Sequence, residues 1–76
     1  MDQHLGPYTL HFIAHETEDG TWSAFITIDK FDESVHDFRR IVEKHPVGVP
    51  GLPSRQAAIE AASQAGTRMV EDWQRQ

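Results

Sequence analysis

Two histidines, His11 and His15, stand four residues apart in a segment of alternating apolar and polar residues, and they are the first candidates for a metal site. If the segment is a β-strand, the alternation puts both side chains on one face. Four residues along a strand span about 13 Å, whereas the ligands of one zinc ion lie much closer together. The two histidines therefore cannot chelate one ion by themselves, and we interpret them as solvent-facing strand residues.

A second candidate is an acidic segment that could bind a hard cation. Its residues with oxygen or nitrogen ligands are Asp29, Asp32, Glu33, His36 and Asp37. The segment lacks the D-x-D-x-D-G spacing and the closing glutamate of a calcium loop. We therefore interpret it as a solvated, turn-forming run of charges.

A third candidate is the group Ser34, His36 and Asp37, which supplies the residue types of a hydrolytic triad. A triad needs side chains that converge around a pocket, and sequence neighbours usually point apart. The chain also contains no nucleophile elbow and no glycine-rich phosphate loop. We therefore predict a protein that is not an enzyme, with no catalytic residue, no metal site and no cofactor.

Composition narrows the functional classes further. The chain has 76 residues, which is one domain, and a domain this small needs most of its apolar side chains for a single core. Its formal charge of −5 has the wrong sign for binding the phosphates of nucleic acid. There is no cysteine, no export signal at the N-terminus and no apolar run long enough to span a bilayer. We expect a cytoplasmic protein that binds neither nucleic acid nor membrane.

The element that must position the histidines is a β-hairpin over residues 8–29. Two registers compete in it. A two-residue loop sets Phe12 opposite Thr27, whereas a three-residue loop ending at a left-handed Gly20 sets Phe12 opposite Ile26. We predict the second register, because it gathers the apolar side chains on one face and a slip by one residue would scatter them. The residues of that face are Leu10, Phe12, Ala14, Trp22, Ala24, Ile26 and Ile28.

The opposite face of the hairpin is mostly polar, but the predicted register places Ile13 directly across from Phe25. This apolar pair must be covered by another segment or by another molecule. A domain of this size has little chain left to cover a second sheet face, and partners attach at exposed strand edges and apolar patches. We therefore predict an interaction surface made of Ile13, Phe25, His11 and His15.

The C-terminal segment 54–73 predicts an amphipathic helix. Ser54 is a good N-cap, and alanines followed by Met69 and Trp73 recur at steps of three and four. Gly66 is an unfavourable residue inside a helix, costing about 1 kcal/mol relative to alanine. We interpret it as the point where the helix crosses close to the sheet.

The middle segment 31–45 leaves two interpretations open. Its apolar residues have helical spacing, and Pro46 follows it as expected at a helix end. Two strands and one helix rarely make a stable domain, however, and a third strand is the usual remedy. The segment 46–53, with three prolines and two glycines, predicts an extended, stiff connector. We expect an α+β fold in which a three-stranded antiparallel sheet is packed by one C-terminal helix (β-β-β-α), or one in which residues 31–45 are helical instead.

The features together resemble small bacterial domains of the HicB-like type and short stand-alone bacterial β-β-β-α proteins. The likeness is carried by the run GTWSAF at residues 20–25 and by the Ser-capped, alanine-rich run SRQAAIEAASQAG at residues 54–66. It implies a third antiparallel strand near residues 38–44 and an antitoxin-like binding role. We expect a non-enzymatic interaction domain that forms a homodimer, with an antitoxin-like or regulatory binder of a partner protein as the alternative.

Overall fold

The computed structural model describes residues 2–75, which form a four-stranded antiparallel sheet with one helix packed on it. The elements are β1 (Asp2–Leu5), β2 (Tyr8–Glu16), β3 (Trp22–Asp32), β4 (Asp37–Leu52) and α1 (Arg55–Gln74). The strand order in the sheet follows the chain, so β1 and β4 are its edges. The α+β class and the C-terminal helix on the sheet are as the sequence predicts.

The hairpin of β2 and β3 has the predicted register, with Phe12 opposite Ile26. At its end the Thr17 amide donates to the Thr21 carbonyl over 2.8 Å. Gly20 has a φ of 85°, the left-handed conformation that a three-residue hairpin loop requires. Local turn chemistry and the period of two in the strands therefore agree on one register.

The core lies between one face of this sheet and α1. Its buried members are Leu10, Phe12, Ala24, Ile26, Ile28, Ala58, Ile59, Ala62 and Val70. At Gly66 the helix comes so close to the sheet that an added Cβ would lie 2.2 Å from Ile26 Cδ1 and 2.7 Å from Leu10 Cδ2. The glycine is therefore what permits the close crossing, because no other residue lacks a Cβ.

Helix α1 begins where the sequence predicts. The Ser54 hydroxyl accepts a hydrogen bond from the Ala57 amide over 3.0 Å, which satisfies one of the free amides of the first turn. At the other end Trp73 packs on Tyr8 with ring centroids 5.5 Å apart. No helix within residues 2–75 has the length and apolar character needed to cross a membrane.

The expected strand count of three is wrong, because β1 adds a fourth strand. Residues Asp2–Leu5 pair with β2, from Asp2 opposite His11 to Leu5 opposite Tyr8. The run DQHL contains no β-branched or aromatic residue, so local propensity does not indicate a strand. Its conformation comes from pairing with β2 across a tight turn in which Gly6 has a φ of 58°.

The helical interpretation of residues 31–45 is also wrong. Strand β3 ends at Asp32, residues 33–36 form a turn, and β4 begins at Asp37. The helical spacing of the apolar residues is overridden by pairing with β3, which gives a two-stranded hairpin the further strand that it needs for stability.

The segment 46–53, predicted as a connector, is extended but belongs mostly to the sheet, because β4 continues to Leu52. Prolines are tolerated there because β4 is an edge strand. Gly48 and Gly51 have positive φ values of 72° and 80°, and the register of β4 shifts against β3 near them. This part of β4 is therefore an irregular edge rather than a free linker.

Candidate interaction surface

The sheet face opposite α1 is covered by no other element of residues 2–75, and we call it the open face. It is formed by the side chains that alternate with the core positions. The two central strands contribute Thr9, His11, Ile13, His15, Ser23, Phe25, Thr27 and Asp29. The edge strands add Asp2 and His4 from β1 and Arg40 from β4.

Four charged or titratable side chains, one from each strand, form a row across the open face. His11 Nδ1 lies 2.8 Å from Asp2 Oδ1, and His11 Nε2 lies 3.0 Å from Asp29 Oδ2. Arg40 Nε donates to the other carboxylate oxygen of Asp29. We call Asp2, His11, Asp29 and Arg40 the charged row. Its charges alternate in sign across the sheet when His11 is protonated.

The contacts of His11 favour its protonated form. Both ring nitrogens face a carboxylate oxygen, and both can donate only in the imidazolium. The hydrogen bond to Asp2 raises the pKa of His11 above its ordinary value of 6.5, against the opposing effect of burial, and the bond to Asp29 adds to the rise. The bond from His11 in turn lowers the pKa of Asp2. The imidazolium and its two carboxylates therefore stabilise one another.

Asp29 is the centre of the charged row, and its side chain is 18% exposed. Burial would raise the pKa of this carboxyl, but the hydrogen bonds from Arg40 and His11 outweigh burial and lower it. The hydrogen bond between Arg40 and Asp29 also raises the pKa of the Arg40 guanidinium. Asp29 is thus kept ionised by a cation on each side, which is the condition under which a partly buried carboxylate is stable.

Ile13 and Phe25 lie directly opposite each other next to the charged row. Both side chains are half-buried. On β4, Pro46 pairs with Phe25, and Lys44 Nζ stands 4.7 Å from the centroid of the Phe25 ring, a cation–π distance. His15 is exposed one step further along β2. The structure thus brings the four sequence-predicted residues, His11 included, onto one face.

A second apolar patch lies on the other side of the charged row. The β3–β4 hairpin continues beyond Lys30, where the pairing of β3 with β2 ends. On it Phe31 and Phe38 stack edge to face with centroids 5.3 Å apart, and they are 36% and 49% exposed. The Phe31 amide donates to the Pro7 carbonyl over 2.8 Å, so this patch borders the β1–β2 turn.

The interpretation of the acidic segment as a solvated turn is wrong for Asp29, which lies within β3 and belongs to the charged row, whereas the other residues of the segment lie in or beside the turn at residues 33–36. The Asp32 carboxylate accepts from the Ser34 amide (2.9 Å) and hydroxyl (2.6 Å), and Arg39 Nη1 lies 3.2 Å from it. These bonds, the Ser34 hydroxyl first, lower the pKa of Asp32. Ser34 and His36 are exposed on the turn, and Asp37 is exposed at the start of β4. Their chemistry is that of a solvated turn rather than a pocket.

Within residues 2–75 no cluster of three or more histidine, aspartate or glutamate side chains could hold a metal ion. In the charged row both nitrogens of His11 already contact carboxylates, so neither is free for a metal. The arrangement has the chemistry of an ion-pair network that ties the four strands together.

No protein-family model, curated protein or solved structure matches this chain. The resemblance to HicB-like domains stays a prediction.

The sequence did not predict three members of the open face, which are Asp2, His4 and Arg40. Asp2 and His4 lie on the strand that propensity fails to indicate, where His4 Nδ1 contacts the Thr9 hydroxyl at 3.0 Å. Arg40 reaches Asp29 only because β4 shifts its register against β3. The run DQHL shows no alternation of apolar and polar residues, so no local signal in the sequence indicates β1.

Proposed function

We propose that this chain is a non-enzymatic interaction domain that self-associates through the open face of its sheet. The observation that carries the proposal is the opposed pair Ile13 and Phe25, which sits on a sheet face that no element of residues 2–75 covers. Removing apolar surface from water is the main driving force of association. Packing two sheet faces together is a standard way to bury such surface.

The size of the open face is compatible with a weak dimer. Strands β2, β3 and β4, spaced about 4.8 Å apart over about 26 Å, and the four-residue β1 over about 13 Å, give a face of about 440 Å² per copy. Two copies would bury about 900 Å², which falls in the range of weak, transient interfaces below about 1,200 Å². We therefore expect a dissociation constant in the micromolar range and a dimer fraction that rises with protein concentration.

Sedimentation velocity across about 5 to 200 µM tests the proposal, because mass action must then shift the distribution from monomer to dimer. Phe25→Asp should make the protein monomeric, since a charge would be buried in the interface. Phe25 is only half-buried in the monomer, so the fold should survive, as circular dichroism would show. Gln64→Asp on the exposed side of α1 is the matched control, because it makes the same change in net charge.

Ile13→Glu provides a second route to the same result if Phe25→Asp fails to fold. A wild-type protein that stays monomeric at about 200 µM overturns the proposal. So does a folded Phe25→Asp variant that dimerises as well as Gln64→Asp does.

A second candidate function is antitoxin-like or regulatory binding of a partner protein. It is favoured by the exposed Phe31–Phe38 pair, because aromatic side chains are enriched among the residues that dominate binding energy. Co-expression with the product of an adjacent reading frame, followed by co-purification, tests it. Phe38→Ser should abolish co-purification and leave the monomer folded, and unchanged co-purification would exclude this patch as the binding surface.

A further inference from the structure

We infer that β1 is a pH-dependent strap: the imidazolium of His11 fastens it to β2, and loss of that proton releases it and opens the outer edge of β2. The pair of Asp2 with His11 is the pair of β1 and β2 that lies farthest from the Gly6-Pro7 turn. The turn holds one end of β1, and this side-chain contact holds the other. The inference concerns a single copy of the chain and does not depend on self-association.

Strand β1 is otherwise held by few contacts. None of its four residues is buried. Leu5, beside the turn, packs against the core. On the side of the helix, Gln3 Oε1 lies 3.4 Å from Ser63 Oγ, which is longer than an ordinary hydrogen bond between two oxygens. The contact of Asp2 with His11 therefore fastens the end of β1 that the core does not hold.

The imidazole of His11 can donate to both of its carboxylate neighbours only when it is protonated. Its Nδ1 lies 2.8 Å from Asp2 Oδ1, and its Nε2 lies 3.0 Å from Asp29 Oδ2. A neutral imidazole has one N–H and one lone pair, so one of the two carboxylates then faces a lone pair instead of a donor. That contact changes from attractive to repulsive.

Burial decides which carboxylate loses its donor. The side chain of Asp29 is 18% exposed, whereas that of Asp2 is 55% exposed and can be solvated by water. Arg40 donates to the other oxygen of Asp29, so it does not replace the bond at Oδ2. A partly buried carboxylate loses more than a solvated one when a donor is removed. The neutral His11 therefore keeps its N–H on Asp29 and turns its lone pair to Asp2, which breaks the link to β1.

The charged groups around His11 set the direction of the pH dependence. They are Asp2 on β1, Asp29 on β3 and, through Asp29, Arg40 on β4, while α1 packs on the opposite face of the sheet. The two carboxylates raise the pKa of His11 above 6.5 while β1 is paired. Pairing of β1 is therefore strongest below the pKa of His11 in the unpaired state, and it weakens as the pH rises through the paired-state pKa.

Release of β1 frees backbone amides on the outer edge of β2. Hydrogen-bonded pairs alternate along two antiparallel strands, starting from the pair that flanks a two-residue turn. In β1 and β2 these pairs are Leu5 with Tyr8 and then Gln3 with Leu10. The Leu10 amide thus loses its acceptor when β1 leaves. A strand edge with unpaired amides is a place where another strand can add, so the strap controls access to it.

Amide hydrogen exchange tests the strap. The exchange rate of the Leu10 amide, measured by NMR and divided into the intrinsic rate at each pH, gives the ratio of paired to unpaired β1. From about pH 5.5 to about pH 8.5 this protection should fall about threefold to fivefold, the effect of losing one exposed ion pair. The midpoint should equal the pKa that the ring protons of His11 report. The Ile13 amide, which points to β3 in the same alternation, should stay much better protected.

Asp2→Asn is the decisive variant. The asparagine amide can either donate or accept, so it suits both forms of the imidazole, and Leu10 protection should change less than about twofold over the same range. The pKa of His11 should also move down toward 6.5, because one of its two carboxylates is gone. Asp72→Asn, at the exposed end of α1, makes the same change in net charge and should keep the wild-type profile.

Three results would overturn the inference. The first is Leu10 protection that stays constant while the ring of His11 titrates. The second is equal protection of Leu10 and Ile13 at every pH, because β1 then does not open separately from the sheet. The third is a fall that persists in Asp2→Asn. It would come from His4, the other titratable side chain of β1, whose Nδ1 lies 3.0 Å from the Thr9 hydroxyl.

Discussion

Gly66 offers a test of the close crossing of α1 over the sheet, because two effects of opposite sign compete there. Replacing it with alanine should stabilise the helix by about 1 kcal/mol through helix propensity alone. The added Cβ, however, would lie 2.2 Å from Ile26 Cδ1 and 2.7 Å from Leu10 Cδ2, well inside van der Waals contact. Both side chains are fully buried, so neither can move aside into solvent.

The steric effect should win. Overpacking a filled core typically costs 1–3 kcal/mol, and two simultaneous overlaps put Gly66→Ala at about the upper end of that range. After subtracting the propensity gain, we expect a net loss of about 1–2 kcal/mol in the free energy of unfolding. In a domain of this size that loss corresponds to a fall in Tm of about 4–16 °C.

Urea denaturation followed by circular dichroism measures the change, with thermal melts as a second readout. The difference between Gln64→Ala and Gln64→Gly, at an exposed site of the same helix, gives the propensity term alone. Ile26→Val removes the nearer clashing atom, Cδ1. It should cost about 1 kcal/mol in the wild-type background and much less in the Gly66→Ala background. A Gly66→Ala protein more stable than wild type would refute the close crossing.

Two further predictions concern the charged row and the helix start. The raised pKa of His11 means that its contribution to stability is present below pH 6.5 and is lost as the pH rises through the folded-state pKa. Between about pH 6 and pH 9 the free energy of unfolding should therefore fall by up to about 1 kcal/mol more in wild type than in His11→Gln, as urea titrations at each pH would show. Parallel pH profiles would contradict this. Ser54→Ala should lower the free energy of unfolding by about 1 kcal/mol because the Ala57 amide loses its acceptor, whereas Ser54→Asp keeps the cap. Equal urea midpoints for the two variants would rule out the cap.

Features that depend on neighbouring residues were predictable from the sequence. The hairpin register follows from the loop at Gly20 and from the need to keep Phe12 and Ile26 on one face. The start of α1 follows from Ser54, and the crossing point from Gly66, where a glycine is otherwise unfavourable. In each case the physical cause lies within a few residues or in a simple alternation.

Features that depend on distant pairing were not predictable. Strand β1 exists because β2 offers it a partner, and its own residues carry little β propensity. The turn at residues 33–36 interrupts an apolar pattern that indicates a helix when considered alone. For the same reason the sequence did not indicate Asp2 and Arg40 as members of the charged row. Asp2 joins the row because β1 pairs with β2, and Arg40 joins it because the register of β4 shifts against β3. His11, Ile13 and Phe25 were identifiable because they belong to the locally determined hairpin.

The irregular half of β4 has a consequence for how copies can assemble. The unpaired backbone groups of a regular edge strand can hydrogen-bond to a strand of another copy. Fibrils grow by repeating this pairing. Here Pro46 and Pro50 carry no amide hydrogen, and Gly48 and Gly51 break the extended conformation. At the other edge of the sheet, β1 is only four residues long and presents few unpaired backbone groups to a further strand. Growth by strand addition is thus disfavoured at both edges of the sheet, although its four strands offer a template for it.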